Sequence, residues 1–243
     1  MRSIVTAALM TCAAALTAAP GHAQDLTEDR VKELVLEAIR ENPEIVMEAV
    51  GILQQREQAA AASAADAALS ENRAALEDAS NAPVKGNPAG DVTVVEFFDY
   101  NCPYCKRAHA EVDALIEGDD EVRIVFREWP ILGDGSVFAA RAALAARAQD
   151  GYVKLHNAML EAEGRLDESS VMRIAGDVGL DTDRLRADME APEVQAHIDQ
   201  SMELAQGLGF TGTPSFVIGD QLAPGLVEAE TMAAMVEAVR EGR

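Results

Sequence analysis

Hydrophobic residues follow two different periods along this chain of 243 residues, and the period changes near residue 90. Between Leu26 and Asp78, aliphatic residues recur every three or four positions, which predicts helix almost throughout. Thr27 is placed to cap the start, and Asn42-Pro43 marks a restart with Asn42 as cap and Pro43 at the first helical position. The two predicted apolar stripes consist of Val31, Leu34, Val35 and Ile39, and then Ile45, Val46, Val50 and Leu53.

Beyond residue 90 the pattern predicts a sheet with helices around it. Short runs rich in β-branched and aromatic residues alternate with longer segments of helical period. The predicted elements are a strand at 92–100, a helix at 106–116, a strand at 121–129, several helices within about 136–207, a strand at 213–218 and a helix at 227–240. This order predicts an α/β domain over 91–243, with a helical insertion at about 136–207 and a turn before the last helix.

The segment upstream of this domain lacks large side chains. All ten aromatic residues lie at or after Phe97, so the packed domain is expected to begin near residue 88. Residues 80–90 are rich in Asn, Pro and Gly and predict a linker. Within the helical segment 24–79, residues 54–76 are rich in alanine, and the narrow aliphatic stripe of the segment cannot form a core alone. A stalk that associates with copies of itself is the favoured interpretation; a helix packed on its own domain and a disordered tail remain open.

Residues 1–23 have the pattern of a cleaved signal peptide. Arg2 supplies the positive start, Ile4–Ala18 is a short apolar run, and Gly21-His22-Ala23 is a small-x-small cleavage pattern before Gln24. The alternative is a lipoprotein anchored at Cys12. The pattern favours secretion, and the expected compartment is a bacterial periplasm.

The charge balance excludes two classes of partner. Removal of residues 1–23 takes away Arg2 and no acid, so the formal net charge changes from −22 to −23. Such an acidic chain is not expected to bind nucleic acid or an anionic membrane surface.

After cleavage two cysteines remain, both in Cys102-Pro103-Tyr104-Cys105. A strand followed by a helix places Cys102 at a helix N-terminus, where unpaired N–H groups and the helix dipole favour a thiolate. The motif therefore predicts thiol–disulfide exchange, with Cys102 as the exposed nucleophile and Cys105 as the resolving thiol one turn deeper. A permanent structural disulfide is disfavoured, because the loop that it would close is so short that it would constrain the unfolded chain little.

One acidic residue stands on an apolar strand face. Glu96 shares its face with Val94 and Phe98, where a carboxylate is costly unless it is paired or protonated. A water-exposed position at the end of the strand is the other reading.

No metal or other cofactor is expected. His109 lies one turn after Cys105, but a closed zinc site needs four ligands, and we interpret His109 as a partly exposed helix residue outside the catalytic set. The two thiolates of the motif could still hold Cu(I).

Two motifs more than a hundred residues apart carry a family resemblance. Glu96–Cys105 and Gly212–Phe216 resemble the corresponding segments of DsbA-type periplasmic proteins of the thioredoxin fold. The N-terminal helical segment is similar to that of the ScsC-like branch, whose members can trimerise and isomerise disulfides. The implied architecture is a thioredoxin fold with a helical insertion, preceded by an α-helical stalk.

The resemblance also implies roles for particular residues. Glu96 would carry the proton of Cys105, and the Thr213-Pro214 bond would be cis and lie against the active-site disulfide. Pro103, Tyr104, Thr213 and Pro214 would form the substrate-binding surface, with the Thr213 backbone pairing with an extended polypeptide.

These observations lead to a main hypothesis with three alternatives. The chain is expected to be a periplasmic protein thiol:disulfide oxidoreductase, self-associated as a homo-oligomer, with disulfide isomerase activity. By resemblance it is expected to be a trimer, to act on protein thiols and disulfides, and to exchange electrons with a membrane redox partner. The alternatives are a DsbA-like dithiol oxidase, a Cu(I)-binding chaperone and a purely structural stalked protein.

Overall fold

The computed structural model describes residues 27–242. Its helices are α1 (Glu28–Glu41), α2 (Glu44–Glu77), α3 (Pro103–Gly118), α4 (Asp134–Ala145), α5 (Tyr152–Glu161), α6 (Glu168–Asp177), α7 (Thr182–Asp188), α8 (Pro192–Gly207) and α9 (Ala229–Glu241). Its strands are β1 (Val84–Gly86), β2 (Val92–Phe98), β3 (Val122–Glu128), β4 (Ser215–Ile218) and β5 (Gln221–Pro224). The predicted signal peptide lies outside the described residues.

The helical N-terminal segment forms as its periodicity predicts. The Thr27 side chain accepts a hydrogen bond from the Arg30 backbone N–H and caps α1. The backbone N–H of Asn42 bonds to the Ala38 carbonyl, so Asn42 ends α1, and α2 begins at Glu44. The predicted break is thus confirmed, although Pro43 lies just before the helix rather than in its first position.

The described chain divides into two compact units, and the boundary between Gln55 and Arg56 falls inside α2. In the first unit, no residue of α1 is buried. Its exposed apolar side chains are Val31, Leu34, Val35, Leu36, Ile45, Val46, Met47, Val50, Ile52 and Leu53.

The second unit contains a mixed five-stranded sheet in the order β1-β3-β2-β4-β5. Strands β2 and β3 are parallel, and the other three pairings are antiparallel. The parallel pair requires a crossover, which α3 supplies. The helices α4 to α8 lie between β3 and β4, so the predicted α/β fold with a helical insertion is confirmed.

Residues alternate along β2 between two hydrophobic clusters, one on each face of the sheet. Val94 and Phe98 belong to the larger cluster, which also contains Cys105 of α3. Val95 and Phe97 belong to the second cluster. Because Glu96 lies between Val94 and Phe98, the fold places its carboxyl on the α3 side.

The predicted linker at 80–90 contains strand β1, so the packed unit extends further upstream than expected. Strand β1 pairs with β3, and Val84 lies opposite Val125. Leu69 and Leu76 of α2 pack in the second cluster with Trp129. The absence of aromatic residues concealed this contact, because two leucines supply the apolar surface instead.

A turn was expected before the last helix, but strand β5 occupies that place and pairs with β4. Only Val217 and Leu222 form an aliphatic pair directly across the two strands. A four-residue strand with so little apolar patterning gives no clear strand signal in the sequence.

Candidate active site

The two cysteines lie where β2 leads into α3, at the carboxyl end of the parallel strands. Cys102 is the N-cap residue of α3 and Pro103 occupies its first turn. The Cys102 thiol donates to the Thr213 carbonyl oxygen at 3.2 Å. The residue is only 5% exposed, which corrects the expectation of an exposed nucleophile, because a loop 111 positions away in the sequence covers the sulfur.

Cys105 is fully buried, and its sulfur accepts a hydrogen bond from the Asp99 backbone N–H at 3.5 Å. A hydrogen bond from the Cys105 thiol is the largest effect that lowers the pKa of Cys102 to about 5, followed by bonds from the Thr213 side chain and nearby backbone N–H groups. Burial raises the pKa of Cys105 far above its usual range. At neutral pH the pair therefore consists of a Cys102 thiolate and a Cys105 thiol.

Glu96 is buried at 2% exposure, and its Oε1 atom has no hydrogen-bond partner. Burial raises the pKa of Glu96 to about 8, while the charge of Lys85 acts in the opposite direction and that of Asp113 in the same one. The charge of Glu96 in turn contributes to the raised pKa of Cys105. The two groups thus interact, and the reading of Glu96 as a water-exposed residue is wrong.

The remaining predicted site residues surround Cys102. The Thr213-Pro214 peptide bond is cis, as the resemblance implies. Tyr104, within the motif, is 55% exposed, and the guanidinium carbon of Arg107 lies 5.8 Å from the centre of its ring.

Sequence reasoning missed two polar residues that hold the loop before Cys102. Asp99 Oδ1 accepts from the Asn101 backbone N–H, and Asp99 Oδ2 accepts from the backbone N–H groups of Ile131 and Leu132. The Asn101 side chain accepts from the Leu166 backbone N–H at 2.6 Å and donates to the Leu166 carbonyl at 3.1 Å. The only signal was their place beside the motif at the end of an apolar strand.

A second buried polar network lies behind the active-site helix. Glu128 Oε1 accepts hydrogen bonds from the hydroxyls of Tyr100 and Tyr152, and Tyr100 also contacts His156 Nδ1 at 3.0 Å. His109, expected to be partly exposed, is buried with its ring centre 5.6 Å from that of His156. The ring of His156 from α5 packs against this position.

Among residues 27–242, no cluster of three or more His, Cys, Asp or Glu side chains has the arrangement of a metal site. Within the same residues no helix is both long and apolar enough to cross a membrane.

Comparisons with known proteins define the class. The sequence model of the DSBA-like thioredoxin domain matches residues 93–237, more than half of the chain, so the chain belongs to that family. The model of the copper resistance protein ScsC N-terminal domain matches residues 28–60. Together the two matches identify an ScsC-like member of the DSBA-like family with an N-terminal helical segment.

Solved structures agree with this assignment. A thioredoxin-like oxidoreductase from Silicibacter pomeroyi DSS-3 is 61% identical, with a TM-score of 0.69 over 70% of this chain and 98% of that chain. A linker-deletion mutant of Proteus mirabilis ScsC is 25% identical, with a TM-score of 0.69 over 93% of this chain and 100% of that chain.

Among curated proteins, the Na(+)/H(+) antiporter NhaA 3 of Salinispora tropica is 31% identical over 155 residues, which are 63% of this chain and 24% of the antiporter. The chain therefore spans about a quarter of the length of the antiporters it matches.

Proposed function

We propose that the chain is a thiol:disulfide oxidoreductase that acts on proteins. The observation that carries the proposal is the contrast between the two sulfurs, because the pKa of Cys102 is lowered to about 5 while that of Cys105 is raised. The Cys102 thiolate attacks one sulfur of a substrate disulfide, forms a mixed disulfide and expels the other substrate sulfur as a thiolate. Cys105, once deprotonated, attacks Cys102, closes the active-site disulfide and releases the substrate thiol.

Glu96 would take the proton from Cys105 in this second step. Its raised pKa of about 8 places proton exchange near neutral pH, where a general base works best. The contribution of the Glu96 charge to the pKa of Cys105 supports this role. Pro103, Tyr104, Thr213 and Pro214 would bind the substrate backbone next to the reacting sulfur.

The exchange chemistry is tested by trapping. Cys105→Ser should accumulate mixed disulfides with oxidised protein substrates, because the resolving thiol is lost, whereas Cys102→Ser should accumulate none. Non-reducing gels and mass spectrometry give the readout. Absence of Cys102-linked adducts in Cys105→Ser would contradict the proposal.

We further propose that the first unit self-associates and that the oligomer isomerises disulfides. Ten exposed apolar side chains on α1 and the start of α2 would be covered by copies of the same segment. The match of residues 28–60 to the N-terminal domain of ScsC supports this assignment. Several reduced sites around one substrate suit shuffling better than a single site does. A trimer remains the expectation from resemblance.

Two charge-matched variants test self-association. Val46→Glu with Leu53→Glu should dissociate the oligomer and abolish recovery of activity from scrambled ribonuclease. Gln54→Glu with Gln55→Glu adds the same charge to exposed positions of the same helix. This control should change neither the oligomeric state nor the recovery of ribonuclease activity. Light scattering gives the mass, and ribonuclease turnover gives the isomerase activity. Recovery by a monomeric variant would contradict the link between assembly and isomerisation.

The dithiol oxidase and the Cu(I) chaperone predict other results. An oxidase, once preoxidised, would form disulfides in reduced ribonuclease but would not rescue the scrambled enzyme. A copper carrier would lose stoichiometric Cu(I) binding in Cys105→Ser and would not form Cys102-linked adducts. The main proposal also includes secretion to a periplasm and a redox partner in the membrane that keeps the site reduced.

A further inference from the structure

A cavity of about 780 Å³ opens beside the cis-proline loop, on the face of the sheet covered by α8. Its apolar lining comes from Trp129, Met202 and Phe210. Asp199 and Glu203 supply acidic groups at the same cavity, and Thr211 also lines it.

The floor of the cavity is fixed by aromatic packing. The rings of Trp129 and Phe210 both contact Phe97 edge to face, at centroid distances of 6.3 and 5.5 Å. The Trp129 backbone N–H donates to the Phe98 carbonyl at 3.0 Å, which holds the indole at the sheet edge where β2 leads to Cys102. One wall is adaptable, because the Met202 side chain is unbranched and the residue is 49% exposed.

The charge at the cavity is entirely negative. Asp199 and Glu203 lie four residues apart on α8 and therefore on the same helix face. No Lys or Arg lines the cavity, and in the described part of the chain neither carboxylate belongs to an ion pair. The hydrogen bond that Asp199 accepts comes from the neutral amide of Gln195 at 2.8 Å. The cavity thus offers an apolar floor with uncompensated negative charge at its rim.

The position of the cavity relates it to the reacting sulfur. Thr213 accepts a hydrogen bond from Cys102 through its carbonyl oxygen, and Thr211 lies two residues earlier, at most about 7 Å along the chain. A polypeptide that ran along this loop with its cysteine at Cys102 would therefore bring its second or third neighbouring residue toward the cavity.

We propose that this cavity is a substrate subsite for a lysine or arginine two or three residues from the reacting cysteine. The aliphatic stem of such a side chain covers Trp129 and Met202, and its charged end lies between Asp199 and Glu203. Long basic side chains suit a site of this composition because they combine apolar length with a terminal cation. The proposal rests on the proposed exchange at Cys102 and adds a preference among its protein substrates.

Two peptides with one cysteine each test the subsite. Each cysteine carries thionitrobenzoate in a mixed disulfide, and the second and third positions on either side are lysine in one peptide and glutamate in the other. The Cys102 thiolate attacks the peptide sulfur, the new peptide–Cys102 bond replaces the old disulfide, and the coloured thionitrobenzoate anion leaves with the electron pair. The lysine peptide is expected to react about fivefold faster, as for one ion pair at a partly exposed site.

Matched variants separate the subsite from the overall negative charge of the chain. Asp199→Lys with Glu203→Lys should abolish or reverse the preference. Glu117→Lys with Glu121→Lys makes the same charge change at exposed positions near the far end of α3. This variant should retain the preference for the lysine peptide. The proposal would be overturned if the wild type reacted equally fast with both peptides. It would also be overturned if both variants lost the preference for the lysine peptide to the same extent.

Two further measurements keep the result interpretable. The symmetric disulfide of thionitrobenzoate reports whether Cys102 exchanges at all, so its failure to react would refute the proposed function rather than the subsite. Trp129 is the single tryptophan of the chain and lies in the cavity, so its fluorescence reports occupancy. A serine-for-cysteine lysine peptide should shift the emission, and an equal shift with the glutamate peptide would contradict the assignment.

Discussion

The Cys102 sulfur has a different hydrogen bond in each protonation state. As a thiol it donates to the Thr213 carbonyl, and as a thiolate it accepts from the Cys105 thiol. The low pKa of about 5 therefore depends more on the second cysteine than on any cationic side chain. One residue acts both as the resolving group and as the stabiliser of the nucleophile.

This dependence predicts that Cys105→Ala raises the pKa of Cys102 from about 5 toward the ordinary cysteine value of about 8.5. The variant loses the main donor to the thiolate, whereas the weaker contributions of the Thr213 side chain and the nearby backbone N–H groups remain. The rate of alkylation by iodoacetamide, followed by mass spectrometry against pH, gives the midpoint. A midpoint that stays near its wild-type position would assign the low pKa to the helix terminus instead.

Replacement of Glu96 by glutamine should stabilise the fold and slow the reaction. The folded pKa of about 8 exceeds the ordinary value of 4.5, so stability falls as pH rises between these values, because the unfolded chain releases the Glu96 proton that the folded protein keeps. Glu96→Gln should therefore increase the free energy of unfolding at pH 7 by ~3 kcal/mol. It should also slow the closure of the mixed disulfide, since Cys105 loses its proton acceptor.

Urea unfolding at several pH values and stopped-flow kinetics measure the two effects of Glu96→Gln separately. At pH 4 the gain in stability should vanish, because both states then hold a protonated carboxyl. Unchanged closure rates at every pH would remove Glu96 from the mechanism.

At the same scale, the sequence predicts the chemistry of the site better than its surroundings. A motif of four adjacent residues identifies both cysteines. Asp99 and Asn101 could not be recognised, because their partners at 131, 132 and 166 are brought together only by the folded insertion. The low exposure of Cys102 could not be predicted for the same reason, because the loop at Thr213 that covers it is distant in the sequence.

At the scale of elements, Arg127 joins α2 to the sheet. This buried residue of β3 donates to the carbonyl oxygens of Ala75, Leu76 and Asp78, at the end of α2 where helix carbonyls lack partners. Burial lowers its pKa only to about 10, so it stays charged at neutral pH. The cation satisfies these carbonyls and the negative end of the helix dipole together.

Loss of this contact should destabilise the second unit. Arg127→Met leaves several carbonyl groups unsatisfied, which predicts a cost of about 3 kcal/mol in the free energy of unfolding. Hydrogen exchange should show faster exchange over 69–82 than elsewhere. Arg173→Met, which removes an exposed i,i+4 ion pair with Asp177 on α6, should cost about 0.5 kcal/mol. Similar losses in the two variants would contradict the role of Arg127.

Long periodic elements follow from the sequence, whereas the short strands do not. The helices α1 and α3 and the strands β2 and β3 lie within a few residues of their predicted limits. Strand β1 has three residues among turn formers and is defined by its register with β3, a pairing that no local pattern encodes.

At the scale of the whole molecule, the boundary of the packed unit determines which truncations fold. A chain that begins at Arg56 keeps Leu69, Leu76 and the carbonyl partners of Arg127. It is expected to unfold as cooperatively as the second unit does in the full chain. A chain that begins at Val84 loses all of these contacts and should be less stable by roughly 3 kcal/mol or more.

Urea titration of the two truncated chains, in the same redox state, measures this difference. Equal midpoints would show that residues 56–83 contribute no stability. The comparison also decides which fragment is a valid monomeric control for isomerase assays. An unstable fragment would lose activity because it unfolds, not because it is monomeric.

The pairing of Asn101 with the Leu166 backbone has a consequence for the modularity of the fold. The insertion is continuous in sequence, yet one of its loops shapes the turn that presents the catalytic cysteine. In a chimaera that takes its helical block from a relative, the active-site turn would therefore be held by a loop from another protein. Exchange of the block is expected to succeed only when the incoming loop presents a backbone N–H and a carbonyl to the Asn101 side chain, as the loop at Leu166 does.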